Sequence, residues 1–259
     1  MWLIVFSLFL TSPAGGFELI FKGLAPSDEF YSDHLDNIYF LDDHKLIKIA
    51  TTSGAIMEYG SLSIGEISSA DVSNPFQILL FYRDFNQILF LDNKLSRLRS
   101  EINLSDLDIE QAILACSSGR GGFWVFSDRG NHLVFFDQQF RNSHQSMIIS
   151  SITGSNIKPV YMTEAQNQLY LHIPGEGILV FDQFASYKKT IPYYGPDRFQ
   201  VMNGKIIYFQ DGKLLSLDIS NNEIIDIVIP LQVKIDGAYL QPKKLCLLEG
   251  DVIKLFRIN

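Results

Sequence analysis

The segment LVFFDQQF, Leu133 to Phe140, returns in nearly the same form as ILVFDQF, Ile178 to Phe184. The aspartates of the two copies, Asp137 and Asp182, lie 45 residues apart. An apolar segment that repeats at this distance, with only strand-like sequence in between, is typical of the blades of a β-propeller.

Further copies of the segment extend the pattern along the chain. ILFLD and LLSLD end at Asp92 and Asp218, and the weaker copies LIKIA and VIKLF end at Ala50 and Phe256. Successive copies are therefore 36 to 45 residues apart. Six copies predict six blades.

Each copy follows a second apolar segment and a short polar turn. FWVF leads through SDRGN to HLVFF, for example, and IIYF leads through QDGK to LLSL. Gly, Asp and Asn tolerate the positive φ angles that tight hairpin turns require. A weaker strand precedes each hairpin and another follows the first five, so we expect four-stranded blades.

The two ends of the pattern complement each other. The sixth copy has no fourth strand after it, whereas FELIFKG, Phe17 to Gly23, is an apolar strand without a blade of its own. Pairing the two would remove an unprotected sheet edge. The sequence thus predicts an all-β, six-bladed propeller in which Phe17–Gly23 pairs with the strand around Val252–Phe256.

The order of apolar segments, turns and aspartates resembles NHL-like six-bladed propellers. A narrower resemblance concerns one segment, SSADVSNPFQILLFYRDFNQILFLDNKL, Ser68 to Leu95. It is similar to a sequence motif that recurs in uncharacterised exported propellers of Bacteroidota. The first resemblance covers most of the chain and implies the fold. The second covers one blade strongly; it implies a location in the cell envelope and implies no reaction.

The composition limits the kinds of partner. The net charge is −8, which opposes nucleic acid, because phosphate binding requires clustered Lys and Arg. It equally opposes attraction to an anionic membrane surface.

The N-terminus resembles a secretion signal. WLIVFSLFL, Trp2 to Leu10, is an apolar segment too short to span a bilayer, and small residues follow it, with Ser12 and Ala14 at −3 and −1 of a cleavage site. We expect a signal peptide over residues 1–14, a single propeller domain over 15–259, and no transmembrane segment in the mature chain. A buried first strand is the alternative. The expected location is the periplasm or the outer membrane.

Cys116 and Cys246 are the two cysteines. Export would permit a disulfide. Both residues lie in apolar segments, which favours two buried thiols, and the repeat assigns them to the third and sixth blades, on opposite sides of the ring. We therefore expect that they are not joined.

No established catalytic motif is present, and we predict no cofactor, no catalytic residue and no metal site. SSGRGGF, Ser117 to Phe123, could suggest a phosphate loop, but it leads into a strand and not a helix, so a turn between two strands explains it better. SDLDIE, Ser105 to Glu110, alternates carboxylates without the Gly of a calcium loop, and Ser105 could instead cap a helical turn. The aspartate at the end of each third strand recurs, which indicates turn chemistry with its carboxylate accepting backbone N–H groups.

One face of the propeller carries the candidate binding residues. In this strand order the turns between second and third strands share a face with the connections between blades. The turns contribute Arg83, Phe85 and Arg129, and the connection PYYGPDR contributes Tyr193 and Tyr194. Acidic residues around a pair of exposed tyrosines suit a basic or amphipathic protein partner. Tyrosines that merely cover blade edges are the alternative.

Two classes of function remain open. The first is a non-enzymatic, protein-binding scaffold in the cell envelope, with an accessory or plug subunit of an outer-membrane translocon as its narrower form. The second is a propeller hydrolase or lyase acting on a sugar, for which the first strands offer Asp33, Asp71 and Glu164.

Overall fold

The computed structural model describes residues 16–42, 44–61, 64–154, 157–230 and 234–259. The strands form six four-stranded antiparallel sheets, so the predicted six-bladed propeller is confirmed. The predicted signal peptide lies outside the described residues. None of the helices in the described ranges is long and apolar enough to span a bilayer.

The first three blades follow one another directly along the chain. The first contains β2 (Phe30–Ser32), β3 (Asn37–Asp42), β4 (Lys45–Ala50) and β5 (Ala55–Gly60). The second contains β6 (Ser69–Asp71), β7 (Ile78–Tyr82), β8 (Gln87–Leu91) and β9 (Ile102–Asn103). The third contains β10 (Ala112–Ser117), β11 (Phe123–Ser127), β12 (His132–Phe136) and β13 (Asn142–Gln145).

The remaining blades close the ring. The fourth contains β14 (Tyr161–Ala165), β15 (Gln168–Ile173), β16 (Gly177–Asp182) and β17 (Tyr187–Ile191). The fifth contains β18 (Gln200–Met202), β19 (Lys205–Gln210), β20 (Lys213–Asp218) and β21 (Ile224–Asp226). The sixth contains β22 (Gly237–Gln241), β23 (Lys244–Glu249), β24 (Val252–Ile258) and, as its outer strand, β1 (Phe17–Leu24).

The predicted closure is confirmed. Strand β1 runs antiparallel to β24, from the pair Phe17–Ile258 to the pair Leu24–Val252, with one register shift between Leu19 and Phe21. The pairing joins the two ends of the described chain in one sheet, so that β24 has no free edge.

The core consists of six hydrophobic clusters, one at each interface between neighbouring blades. The second and third strands of a blade are therefore covered on both faces. This explains why segments such as FWVF and LVFF are continuously apolar and do not alternate. Trp124, Phe123 and Phe136 are fully buried in this way, and each such side chain contributes about 1.5–3 kcal/mol to folding.

The second blade departs from the predicted pattern. We expected a fourth strand over residues 96–102, but the strand covers only Ile102–Asn103, with one isolated bridge between Leu91 and Arg97. The Leu98 backbone N–H still donates to the Phe90 carbonyl oxygen at 2.9 Å, and the Arg99 guanidinium packs over the Phe140 ring of the third blade, 4.8 Å from its centroid.

Candidate binding face and channel mouth

Antiparallel order places the loops of every blade on two opposite faces. The turns between second and third strands and the connections between blades lie on one, which we call the connector face. The turns between first and second strands and between third and fourth strands lie on the other, the turn face. The same strands support both faces, so any chemical difference between them arises in the loops.

The loops of the connector face are strongly acidic. Their described residues include thirteen carboxylates and five cationic side chains, a net charge of −8. The carboxylates are Asp28, Glu29, Glu66, Asp84, Asp106, Asp108, Glu110, Asp128, Glu176, Asp197, Asp211, Asp236 and Asp251. The cations are Arg83, Arg129, Lys158, Arg198 and Lys234.

The loops of the turn face are neutral. Six carboxylates and six cations balance there among the described residues. They are Asp33, Asp36, Asp92, Glu101, Asp137 and Glu223, against Lys94, Arg97, Arg99, Arg120, Arg141 and Lys243.

Apolar side chains are also exposed on the connector face. One or two come from most of the blades or their connections. They are Leu24, Phe85, Met147, Ile148, Tyr194 and Val228. An acidic surface with dispersed apolar side chains can attract a cationic partner by charge and hold it by apolar burial.

The two predicted tyrosines of the connection 192–199 differ in their exposure to solvent. Tyr194 is 87% exposed, whereas Tyr193 is 2% exposed and donates its hydroxyl hydrogen bond to the Pro196 carbonyl oxygen at 2.9 Å. Tyr193 also contacts the rings of His172 and Tyr208 edge-on. The expectation of an exposed pair is therefore wrong for Tyr193, because adjacent side chains of an extended segment point to opposite sides.

The three other predicted binding residues lie on the connector face. Arg129 forms an exposed ion pair with Glu110 of the neighbouring connection. Phe85 is half-exposed and its ring covers Gly65 of the connection before it. Arg83 lines a cavity at the mouth of the central channel. That these residues bind a partner stays a prediction, as it does for Tyr194.

The first strands of the blades surround the central channel. A cavity of about 140 Å³ is lined by Arg83 and Arg198 of the connector face and also by Ser73 of the turn after β6, and a second cavity of about 240 Å³ adjoins it. Tyr31, Tyr161 and Tyr239 line both cavities. Tyr161 and Tyr239 also line a third cavity, together with Asp33, Glu164 and Gln241.

A hydrogen-bonded cluster forms one side of the channel mouth. The Nη1 atom of Arg198 donates to the Glu29 carboxylate and to the Tyr31 hydroxyl, which itself donates to Glu29. Burial and the Glu29 carboxylate raise the pKa of Tyr31 well above its ordinary value. Burial also raises the pKa of Tyr161 to about 12. These phenols therefore stay protonated at neutral pH.

This cluster lies outside the residues that the sequence pattern predicted as a binding site. A signal was present, because tyrosine recurs in the first strands EFYSD, PVYMTE and DGAYL. First strands face the channel, so a repeated tyrosine there predicts an aromatic lining of the channel. The partner Arg198 was recognisable only as part of PYYGPDR.

The carboxylates of the first strands all hold backbone groups. Asp33 accepts from the amides of Leu35 and Asn37. Asp71 accepts from Ser73 and, across the blade interface, from Ser117. Glu164 accepts from the Gly119 amide at 2.9 Å and from the Trp124 indole at 2.6 Å.

These hydrogen bonds give the three carboxylates a structural role. They fix the turns between first and second strands and join the third and fourth blades. No described contact of these residues favours the hydrolase or lyase hypothesis over this structural role.

Two loop predictions concern the third blade and the connection before it. Ser118–Gly122 joins β10 to β11 as a turn, as predicted. The segment Leu104–Leu107 forms a single 3-10 turn, but the side chain that caps it is Asn103 and not Ser105, because Asn103 precedes the turn and accepts from the Ser105 amide. Within the described ranges, His, Cys, Asp and Glu side chains form no group of three that could hold a metal ion.

The repeated aspartates and the cysteines have the predicted local structures. Asp92, Asp137 and Asp182 each accept two backbone N–H groups of the following turn, which confirms their turn chemistry. Cys116 and Cys246 are both free and buried, as expected.

Known proteins resemble this chain in fold alone. No protein-family model and no curated protein matches it. A catalytically inactive virginiamycin B lyase from Staphylococcus aureus, solved with quinupristin, has 16% identity and a TM-score of 0.57, with 89% of this chain and 80% of the lyase covered. A chain of the Mitotic Checkpoint Complex has 10% identity and a TM-score of 0.63, with 99% of both chains covered. BamB from Moraxella catarrhalis has 10% identity and a TM-score of 0.52, with 94% of this chain and 98% of BamB covered. The class of protein is therefore a β-propeller.

Proposed function

We propose that this propeller is a protein-binding scaffold that holds its partner on the connector face. The observation that carries the proposal is the difference between the faces: a net charge of −8 on the connector-face loops and zero on the turn-face loops. The six exposed apolar side chains of the connector face provide the anchoring contacts. The partner is a protein segment with basic and apolar residues.

The energetics assign different roles to the two kinds of residue. Exposed carboxylates speed the encounter with a basic partner and add little to final affinity. Apolar and aromatic side chains lose their contact with water in the complex and slow its dissociation. Tyr194 is the strongest anchor candidate, because its side chain is large, aromatic and 87% exposed.

The location that we propose is the cell envelope, in the periplasm or at the outer membrane. Its support is the apolar segment Trp2–Leu10 followed by Ser12 and Ala14. An accessory or plug subunit of an outer-membrane translocon is the narrower form of this proposal. Expression of the full chain with a C-terminal tag tests the location. We expect the tagged protein in the envelope fraction, with Gly15 as its first residue; an intact N-terminus and a cytoplasmic location would contradict it.

The scaffold is tested by crosslinking in the native cells, affinity purification and mass spectrometry. We expect Tyr194→Ser to lose the crosslinked partner without a change in melting temperature. The matched control is Phe184→Ser on the turn face, where the ring is 56% exposed; this variant should retain the partner. Retention of every partner by Tyr194→Ser and by Val228→Ser would contradict the assignment of the connector face.

A further inference from the structure

The cavity at the connector-face mouth of the channel is lined by two guanidinium groups. Arg83 enters from the turn after β7, and Arg198 enters from the connection before β18. Ser69, Ser73 and Thr163 line the same cavity. The volume of about 140 Å³ is sufficient for a small group of a few non-hydrogen atoms.

The guanidinium groups keep donors that the described protein does not use. Glu29 and Tyr31 engage Arg198 through Nη1, and no described residue accepts a hydrogen bond from Nε or Nη2. The Arg83 side chain forms no ion pair with any described carboxylate, whereas Arg129 of the same face pairs with Glu110.

The charged groups at the cavity wall leave one cation without a carboxylate partner. Asp71 is the one carboxylate among the lining residues, and its two oxygens already accept from the amides of Ser73 and Ser117. Glu29 pairs with Arg198, so these four charges sum to zero, and Arg83 is the one cation of the wall without a described carboxylate partner.

We propose that this cavity binds a carboxylate between Arg83 and Arg198. A guanidinium presents parallel N–H groups that match the two oxygens of a carboxylate. A single negative charge matches the Arg83 cation, which has no described carboxylate partner. The surrounding hydroxyls donate to the remaining lone pairs. Tyr161 and Tyr239 line the same cavity.

This site does not depend on the scaffold function. A free small carboxylate and the C-terminal carboxylate of a protein partner present the same chemistry. The site is proposed for a carboxylate group from either source. Probes of different size distinguish a free small carboxylate from the C-terminus of a protein.

The experiment is isothermal titration calorimetry of the full mature chain with N-acetylglycine and with its neutral analogue N-acetylglycinamide. We expect the acid to bind and the amide to bind about ten-fold more weakly or not at all, because a hydrogen bond to a charged group contributes about 1.5–3 kcal/mol. Arg83→Gln should weaken the acid by about ten-fold or more on the same grounds. Lys234→Gln removes an exposed cation of the same face that does not line the cavity; this control should leave the affinity unchanged.

Further probes identify the source. Acetate and glutarate that bind as tightly as the free acids of N-acetylated tripeptides indicate a free small carboxylate. Tripeptide acids that bind about ten-fold more tightly than acetate indicate the end of a protein chain.

Four results would overturn the proposal. They are no binding of any carboxylate, equal binding of acid and amide, unchanged binding by a correctly folded Arg83→Gln variant, and tighter binding of inorganic phosphate than of every carboxylate.

Discussion

The connector face and the turn face rest on the same six blades, yet their carboxylates have different surroundings. On the turn face, Asp92, Asp137 and Asp182 hold backbone amides, and Arg141 pairs with Asp137 at 2.7 Å. On the connector face, the loops carry an excess of acids over bases, and Asp106, Asp128 and Asp251 are exposed. These acids of the turn face therefore stabilise the turns through hydrogen bonds and an ion pair. The exposed acids of the connector face instead give that surface a negative electrostatic potential.

The largest expected effect is a loss of stability of the whole propeller, which supports both faces. Deletion of residues 1–23 removes nearly all of β1 and takes Phe17, Ile20 and Phe21 out of the clusters that they join. It also exposes the edge of β24. We expect a loss of more than about 4 kcal/mol in unfolding free energy, measured by chemical denaturation. The control deletion of residues 1–15 retains β1; equal stability of the two truncated chains would contradict the closure.

The next effect separates the two sides of the connection 192–199. Tyr193→Ser removes a buried ring and its hydrogen bond, so we expect a loss of about 3–5 kcal/mol in unfolding free energy. Tyr194→Ser removes an exposed side chain and should change the unfolding free energy by less than about 0.5 kcal/mol. Chemical denaturation of the two variants provides the measurement. Similar losses in both would mean that the assignment of core and surface in this connection is wrong.

A smaller effect concerns the charge of the two faces. Asp106→Asn with Asp251→Asn raises the charge of the connector face by two, and Thr52→Lys with Ser100→Lys raises that of the turn face equally. At low salt, we expect the Asp→Asn pair to slow association with the identified partner by roughly several-fold, because it weakens the electrostatic attraction of a basic partner. The Lys pair on the turn face should slow association less. Stopped-flow kinetics at low and high salt checks this. Equal slowing by both pairs would show that only the total charge matters.

The smallest effect is the pH dependence of the connector face. Burial lowers the pKa of His172, whose Nδ1 lies 2.9 Å from the Asp197 carbonyl oxygen in the connection 192–199. The unfolded chain then binds more protons than the folded chain below the ordinary value of 6.5, so stability falls as the pH drops below it. We expect His172→Gln to reduce this slope in unfolding experiments between pH 7.5 and 5.5. An unchanged slope would contradict the role of His172.

The turn face should respond only at lower pH. The Arg141 side chain lowers the pKa of Asp137, and the Ser220 hydroxyl lowers that of Asp218, both from 3.8. Their contributions are present above the unfolded value and are lost as the pH falls through the folded values. Asp137→Asn and Asp218→Asn should therefore leave the slope between pH 7.5 and 5.5 unchanged.

The sequence by itself determined the architecture of this protein. The repeated segments LVFFD and ILVFD, the polar turns before them and the unpaired Phe17–Gly23 predicted six blades and their closure. These features are local, because strand periodicity and turn residues depend on neighbours in the chain. The roles of Asp92, Asp137 and Asp182 followed for the same reason.

Only the tertiary structure decided which side chains are free to act. Tyr193 and Tyr194 are adjacent residues of the same type, so the sequence does not distinguish them. The rings of His172 and Tyr208 pack against Tyr193 and bury it. Arg198 is distant along the chain from Glu29 and Tyr31, and the propeller fold brings it to them at the central channel. Burial and contacts between blades depend on residues far apart in the chain, which no local pattern encodes.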